Sequence, residues 1–310
     1  MSPRGKSDCS ANTRPEFLRY RTEDQEILQA LLWFPRKITK TLVIYVPSAT
    51  GGFSGQHDLS PVASAITDKG FAFMATNIRT VGVPNGWTFA RFEDCVKDVG
   101  AAVQYAKSRG FENLALVGHS LGGPRAMYYW VQTRDPSVRA LVFMGSIVSP
   151  YGEARLRWPK GKAAEYDAFL QKVRDLVRQG RGEEVLTFRD YFLAPVPPSL
   201  TLSAQSFVNM FGTPEESNAS TVKFGAQVTL PTLVVHSTQD EIAVPKNAEE
   251  IYASLTAAPR RDLIWVEGSH MLADARDARK YGEVIADWLS EIVPPAGKSR
   301  KVRAPSERRR

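Results

Sequence analysis

Ser120 stands in LALVGHSLGG, residues 114–123, where an apolar run meets three glycines. A serine hydroxyl is a weak nucleophile by itself. It attacks a carbonyl carbon when a base takes its proton, a third group orients that base, and preorganised N–H donors receive the charge on the carbonyl oxygen. The chain has four histidines that could be the base, His57, His119, His236 and His270.

The segment around Ser120 has the shape such a nucleophile needs. An apolar strand enters, and a helix carrying Ala126, Met127, Trp130 and Val131 leaves. In a G-x-S-x-G turn the serine sits at a sharp strand-to-helix corner that projects its hydroxyl. Gly118 and Gly122 keep side chains from colliding there, and Gly123 lets the helix pack close to the sheet. Pro124 requires that helix to begin at Ser120 or Leu121, because proline lacks the N–H needed further in.

Several elements must hold this corner in place. FLRYRTEDQEILQALLWFP reads as two strands joined by a polar turn near Thr22–Gln25. TLVIYVP (41–47), FAFMATNI (71–78), LALVG (114–118), RALVFMGSI (139–147), PTLVVHS (231–237) and DLIWVEG (262–268) are nearly continuous apolar runs. Such runs mark strands covered on both faces. Between most of them lie amphipathic patterns, as in 91–110, where Phe92, Val96, Val99, Val103 and Ala106 share a face before Gly110. The alternation predicts an α/β fold, a doubly wound and mostly parallel sheet flanked by helices, with sites at the carboxyl ends of the strands. Residues 149–227 break it. They hold helical pattern without a convincing strand and read as a helical cap or lid insertion, too long for a bare loop. The expected organisation is a lead at 1–16, a core at 17–148 and 228–293, the insertion at 149–227, and a basic disordered tail at 294–310.

Composition bounds the function classes. The formal net charge is +7, of which residues 298–310 contribute +6 and residues 1–16 contribute +1, leaving 17–297 neutral. A solvated tail explains this charge better than a nucleic-acid or membrane arm, so no nucleic-acid partner is expected. No apolar run reaches the length of a membrane span, and the N-terminus lacks the apolar core of a secretory signal. Cys9 and Cys95 are the only cysteines. No structural disulfide is expected from them, neither has metal-ligand spacing, and a cytoplasmic setting is the default. No nucleotide fingerprint or metal cluster is present, so no cofactor is implied.

GHSLGG in its strand–helix setting resembles the nucleophile elbow of the α/β-hydrolase superfamily, and the order of elements fits it from about residue 17 to 292. The resemblance implies the order nucleophile, acid, histidine. His57 precedes the serine, His119 is locked inside the elbow, and His236 lies in a strand, so His270 is implied as the base. The acid belongs after PTLVVHS, where Asp240 and Glu241 adjoin. Counting from the strand end selects Asp240; counting back from Val244–Pro245 by the family's D-x-x-V-P spacing selects Glu241. Asp240 is favoured and Glu241 is the alternative. By the same analogy the Leu121 amide is one oxyanion donor. The second belongs to the loop after TLVIYVP, where relatives commonly show His-Gly and this chain has PSATGG. Ala49 is chosen and Thr50 is the fallback. Relatives also carry an acidic residue and an R-G-x-G-x-S signature after the next strand, whereas here stand Asn77 and Arg79. Arg79 reads as a bridge between loops, with an anionic substrate group as its other possible partner.

The resemblance implies a serine hydrolase of carboxylic esters. Thioester or amide hydrolysis, acyl transfer, or ligand binding without catalysis are the alternatives. Trp158, Tyr166, Phe169, Phe188, Tyr191, Phe192, Phe207, Met210 and Phe211 make the insertion aromatic. Most should be core, and a few should line a pocket for a small to medium apolar group.

Overall fold

The structure is a computed structural model that describes residues 14–49, 51–53, 58–82, 86–157, 163–188 and 200–293. Cys9, Thr50, His57, Trp158, Tyr191, Phe192, most of the lead and the whole basic tail lie outside the described residues.

Strands β1 (Glu16–Arg21) and β2 (Ile27–Trp33) form the expected antiparallel hairpin, with Glu16 drawn from the lead into β1. Its turn is closed by Thr22, which receives a hydrogen bond from Gln25 N and donates its own N–H to Glu26. β3 (Thr41–Val46), β4 (Ala72–Thr76), β5 (Asn113–His119) and β6 (Val138–Met144) follow. β7 (Val185–Phe188) and β8 (Leu200–Ser203) pair with each other apart from the main sheet. β9 (Thr232–Ser237) and β10 (Arg261–Val266) complete the set. The main sheet runs β1-β2-β4-β3-β5-β6-β9-β10. Every neighbouring pair from β4 to β10 is parallel, and β2 is antiparallel to both of its neighbours.

The apolar runs divide between two faces with the period of two that a pleated strand imposes. Val43, Tyr45, Ala115 and Val117 face one core, while Leu42, Ile44, Leu114 and Leu116 face the other. The first core is covered by α1 (Ser60–Asp68) and a long C-terminal helix (Ala275–Ile292), which pack on each other through Val62, Ile66, Tyr281 and Ile285. The second is covered by α3 (Cys95–Ser108) and α4 (Gly122–Thr133), with α2 (Arg79–Gly82) above the sheet's edge. Among the described residues, no helix is long and apolar enough to cross a membrane.

The chain leaves β3 for β4 on one side and returns to β5 on the other. This reversal opens a crevice between the carboxyl ends of β3 and β5, the usual place for a ligand in a doubly wound sheet.

Residues 149–227 hold α5 (Pro150–Arg157), α6 (Ala163–Arg178), α7 (Ala204–Phe211) and α8 (Thr221–Phe224); α9 (Lys246–Ser254) and α10, the long C-terminal helix, follow. The region is therefore not wholly helical. It contains the β7–β8 pair, which its sequence hides because each strand has only four residues. Tyr166, Phe207, Met210 and Phe211 are buried there and Phe169 is partly buried. Tyr166 donates to the Phe211 carbonyl at 2.6 Å, and Phe169 meets Phe207 edge to face. The segment is fastened to the loop before α3. Glu93 accepts from Asn209 at 2.8 Å and from Asn218 at 2.6 Å, Phe92 N donates to Asn209 Oδ1, and Ser203 N donates to Thr88 O.

Candidate active site

Ser120 follows the last residue of β5 and has φ of 55°, in the left-handed region that a non-glycine residue rarely occupies. Both of its backbone groups are held: its N–H donates to Met144 O at 3.1 Å, and its carbonyl accepts from Ser146 Oγ at 2.9 Å. α4 begins at Gly122 with Leu121 as its N-cap, one residue past the start at Ser120 or Leu121 expected from Pro124; the proline still lies in the first turn, where an N–H has no intrahelical acceptor, so the later start suits it equally. The glycines answer to close approaches. A Cβ on Gly118 would overlap the backbone of Gly122, one on Gly122 would overlap Val46 O, and one on Gly123 would overlap Ser146 Oγ.

Asp240 lies just beyond β9, and His270 in the turn after β10. His270 Nδ1 stands 2.8 Å from Asp240 Oδ2. The other oxygen of this buried carboxylate accepts from Ile242 N at 2.9 Å and Ala243 N at 2.7 Å. A carboxylate accepts only, so His270 carries its proton on Nδ1 and leaves Nε2 as its basic nitrogen. Glu241 Oε2 accepts from the His270 backbone N–H at 3.1 Å. The two adjacent carboxylates thus hold the ring and the backbone of one histidine.

The remaining described histidines are both buried. His236 places Nε2 2.6 Å from Ala243 O, and burial lowers its pKa. His119 has a larger part in the site. Its Nε2 lies 3.1 Å from the His270 carbonyl, its Nδ1 is 3.0 Å from Tyr45 Oη, and its ring centroid is 4.9 Å from that of His270. Since the His270 carbonyl can only accept, His119 bears its proton on Nε2 and accepts from the tyrosine at Nδ1.

Leu121 caps α4, so its amide belongs to the unsatisfied first turn of a helix. Ala49 lies in the loop after β3, partly buried against the core. Next to it, Ser48 Oγ accepts from Gly51 N at 3.0 Å. Arg125, on α4, enters from beneath this loop and is fully buried. Its Nη1 donates to Pro47 O at 3.2 Å and Ser48 O at 3.1 Å, and its Nη2 donates to Thr80 Oγ1 at 3.2 Å. Burial lowers its pKa to about 10, so it stays charged at neutral pH.

Arg79 is occupied by structure. It donates to Asp98 through Nε and Nη2, and to Asp24 through Nη1 and Nη2, joining the β1–β2 turn to α3. Its guanidinium holds the Asp24 carboxyl well below the usual range.

His119 and Arg125 have no motif of their own. A signal for Arg125 does exist in the run GGPRAMYYWV, where one charged residue stands in an otherwise apolar helix and must be buried. Tyr45 likewise places a polar tip inside an apolar strand.

The family model of the α/β hydrolase fold matches residues 41–275. The chain belongs to the α/β-hydrolase fold family. Among solved structures this α/β-hydrolase is similar to Est1E from Butyrivibrio proteoclasticus with ferulic acid bound, at 18% identity and a TM-score of 0.65, covering 88% of this chain and 98% of that one. It is also similar to the esterase domain of a Rhodothermus marinus protein, at 17% identity and a TM-score of 0.59, covering 90% and 98%. A Pyrococcus furiosus esterase follows at 13% identity and a TM-score of 0.59, covering 90% and 91%. At these identities the likeness is one of fold. No curated protein sequence matches the chain.

Proposed function

We propose that this α/β-hydrolase is a serine hydrolase that cleaves carboxylic esters through an acyl-enzyme. The observation that carries the reading is the Asp240–His270 hydrogen bond, on a sheet whose β5 is followed directly by a serine with positive φ. Ser120 Oγ attacks the acyl carbon while His270 Nε2 takes its proton. Asp240 keeps the histidine in the correct tautomer and stabilises the imidazolium. The Leu121 and Ala49 amides receive the oxyanion. His270 then protonates the leaving alcohol, and a water molecule activated by the same nitrogen releases the acid and frees Ser120.

An apolar acyl or alcohol group of small to medium size is part of the proposal and rests on the aromatic content of residues 149–227. Est1E holds ferulic acid, which makes an ester of an aromatic acid a natural member of the first substrate panel. The test is labelling by a fluorophosphonate probe, followed by hydrolysis of esters, thioesters and amides of graded size. Labelling and ester turnover that vanish in Ser120→Ala support the proposal. A folded wild-type protein that neither labels nor hydrolyses any member overturns it.

A further inference from the structure

The peptide group between Ser48 and Ala49 is gripped from below by a buried guanidinium. Arg125 sits one helical turn beyond Leu121, and its own backbone N–H donates to the Leu121 carbonyl at 3.4 Å. Its Nη1 reaches across the crevice to Pro47 O and Ser48 O, the two carbonyls that precede Ala49. The Trp87 ring lies 5.7 Å from its Cζ, and Thr80 holds its other nitrogen. A single residue thus contacts both segments that supply the oxyanion donors in the reading above.

We propose that Arg125 is a positioning residue for the oxyanion hole, acting through the Ser48–Ala49 peptide. The inference rests on the serine-hydrolase reading. A trans peptide is planar, so its N–H points opposite to its carbonyl. Fixing the direction of Ser48 C=O therefore fixes the direction of Ala49 N–H, on the side away from the guanidinium. A charge placed on the carbonyl also draws electron density through the amide and makes its N–H a stronger donor.

Two features separate this role from plain packing. The hydrogen bonds of Arg125 go to two carbonyls and a hydroxyl, while the nearby Asp98 carboxylate acts on it through space and bonds Arg79 instead. A buried cation is expensive to keep, and an apolar side chain of similar length would fill the same space at less cost.

The test uses Arg125→Met and Arg125→Lys in the full chain, with Ser120→Ala as reference. Turnover of the best panel ester and inhibition by a trifluoromethyl ketone are measured together. The ketone adds to Ser120 as a hemiketal and so forms the oxyanion itself. In Arg125→Met, kcat should fall about 10²–10³-fold, the scale of losing one oxyanion donor, with KM within about threefold. The ketone's Ki should weaken by the same factor as kcat/KM, and the pH profile of kcat/KM should keep the midpoint measured for wild type. Arg125→Lys, which retains the charge but not the fork, should recover part of the loss.

A folded Arg125→Met with wild-type kcat and Ki overturns the proposal. So does a loss that appears in KM while the ketone binds unchanged. If Arg125→Met does not fold, Arg125→Lys decides alone: a folded lysine variant within twofold of wild type in both kcat and Ki overturns it. If Ser120→Ala keeps full activity, the underlying serine reading has failed instead, and the two failures are thereby told apart.

Discussion

Asp240 holds the His270 ring by a hydrogen bond, at 2.8 Å from Nδ1. Two further hydrogen bonds reach the backbone of His270, from Glu241 on its N–H and His119 on its carbonyl, and the His119 ring also packs on the His270 ring. The ring's hydrogen bond can therefore be perturbed separately from those of the backbone.

Asp240→Asn should lower kcat by about 10³–10⁴-fold, because an amide can present its NH2 to Nδ1 and invert the tautomer. Glu241→Gln keeps an oxygen for the His270 N–H and should leave kcat within about threefold of wild type. Steady-state kinetics on one ester compare the two directly. A severe Glu241→Gln beside a mild Asp240→Asn would reverse the assignment of the acid.

His119→Leu removes the donor to the His270 carbonyl and the acceptor for Tyr45, leaving two buried polar groups unpaired at about 1–3 kcal/mol each. The variant should unfold at lower denaturant concentration and turn over more slowly. His119→Gln offers a donor and an acceptor at similar reach and should recover much of both. Denaturant unfolding and kcat are the measurements, and equal losses in the two variants would contradict the brace.

His236 gives a signed pH dependence. Burial lowers its folded pKa beneath the unfolded value of about 6.5. Below pH 6.5 the unfolded chain gains a proton that the folded chain refuses. Stability from this group is therefore fully present above about pH 6.5 and declines as pH falls toward the lowered folded value. A second N–H on His236 would have no acceptor, since Nδ1 finds no hydrogen-bond partner among the described residues. Melting temperature between pH 8 and pH 5 should fall less steeply in His236→Gln than in wild type.

Glu93 should control how firmly residues 204–218 are held. Its carboxylate accepts from Asn209 and Asn218, so Glu93→Ala strands two amides and should cost about 1–3 kcal/mol locally. Hydrogen exchange is the readout: amides of α7 should exchange faster while those of β5 and β6 remain protected. Uniform acceleration across the sheet would place the loss in global stability instead.

The main strands were legible because continuous apolar runs bounded by turn residues have few other ways to be buried. The elbow was legible because Gly118, Gly122 and Gly123 answer to backbone overlaps that any side chain would create. The sequence favours Asp240 over Glu241 only by counting from the strand end, as two countings along the loop disagree by one residue and only the path of the turn separates them. The β7–β8 pair was hidden because four-residue strands have too few positions to establish a period. His119 is locked inside the elbow and so is set aside as the base, but nothing local shows its partner, the His270 carbonyl, 151 residues away. Contacts of that kind depend on the closed sheet rather than on any local pattern.

Ser120 and His119 are consecutive, yet one carries the proposed nucleophile and the other steadies the proposed base. One peptide group joins them, and the hydrogen bonds of Ser120 N–H to Met144 and of the Ser120 carbonyl to Ser146 tie that corner to β6 and the loop after it. Residues 86–94 and 204–218 are joined differently, by side-chain bonds from Asn209, Asn218 and Arg91 instead of by strands. Substitutions there meet side chains that can be exchanged, whereas at Gly118 and Gly122 of the elbow they meet backbone.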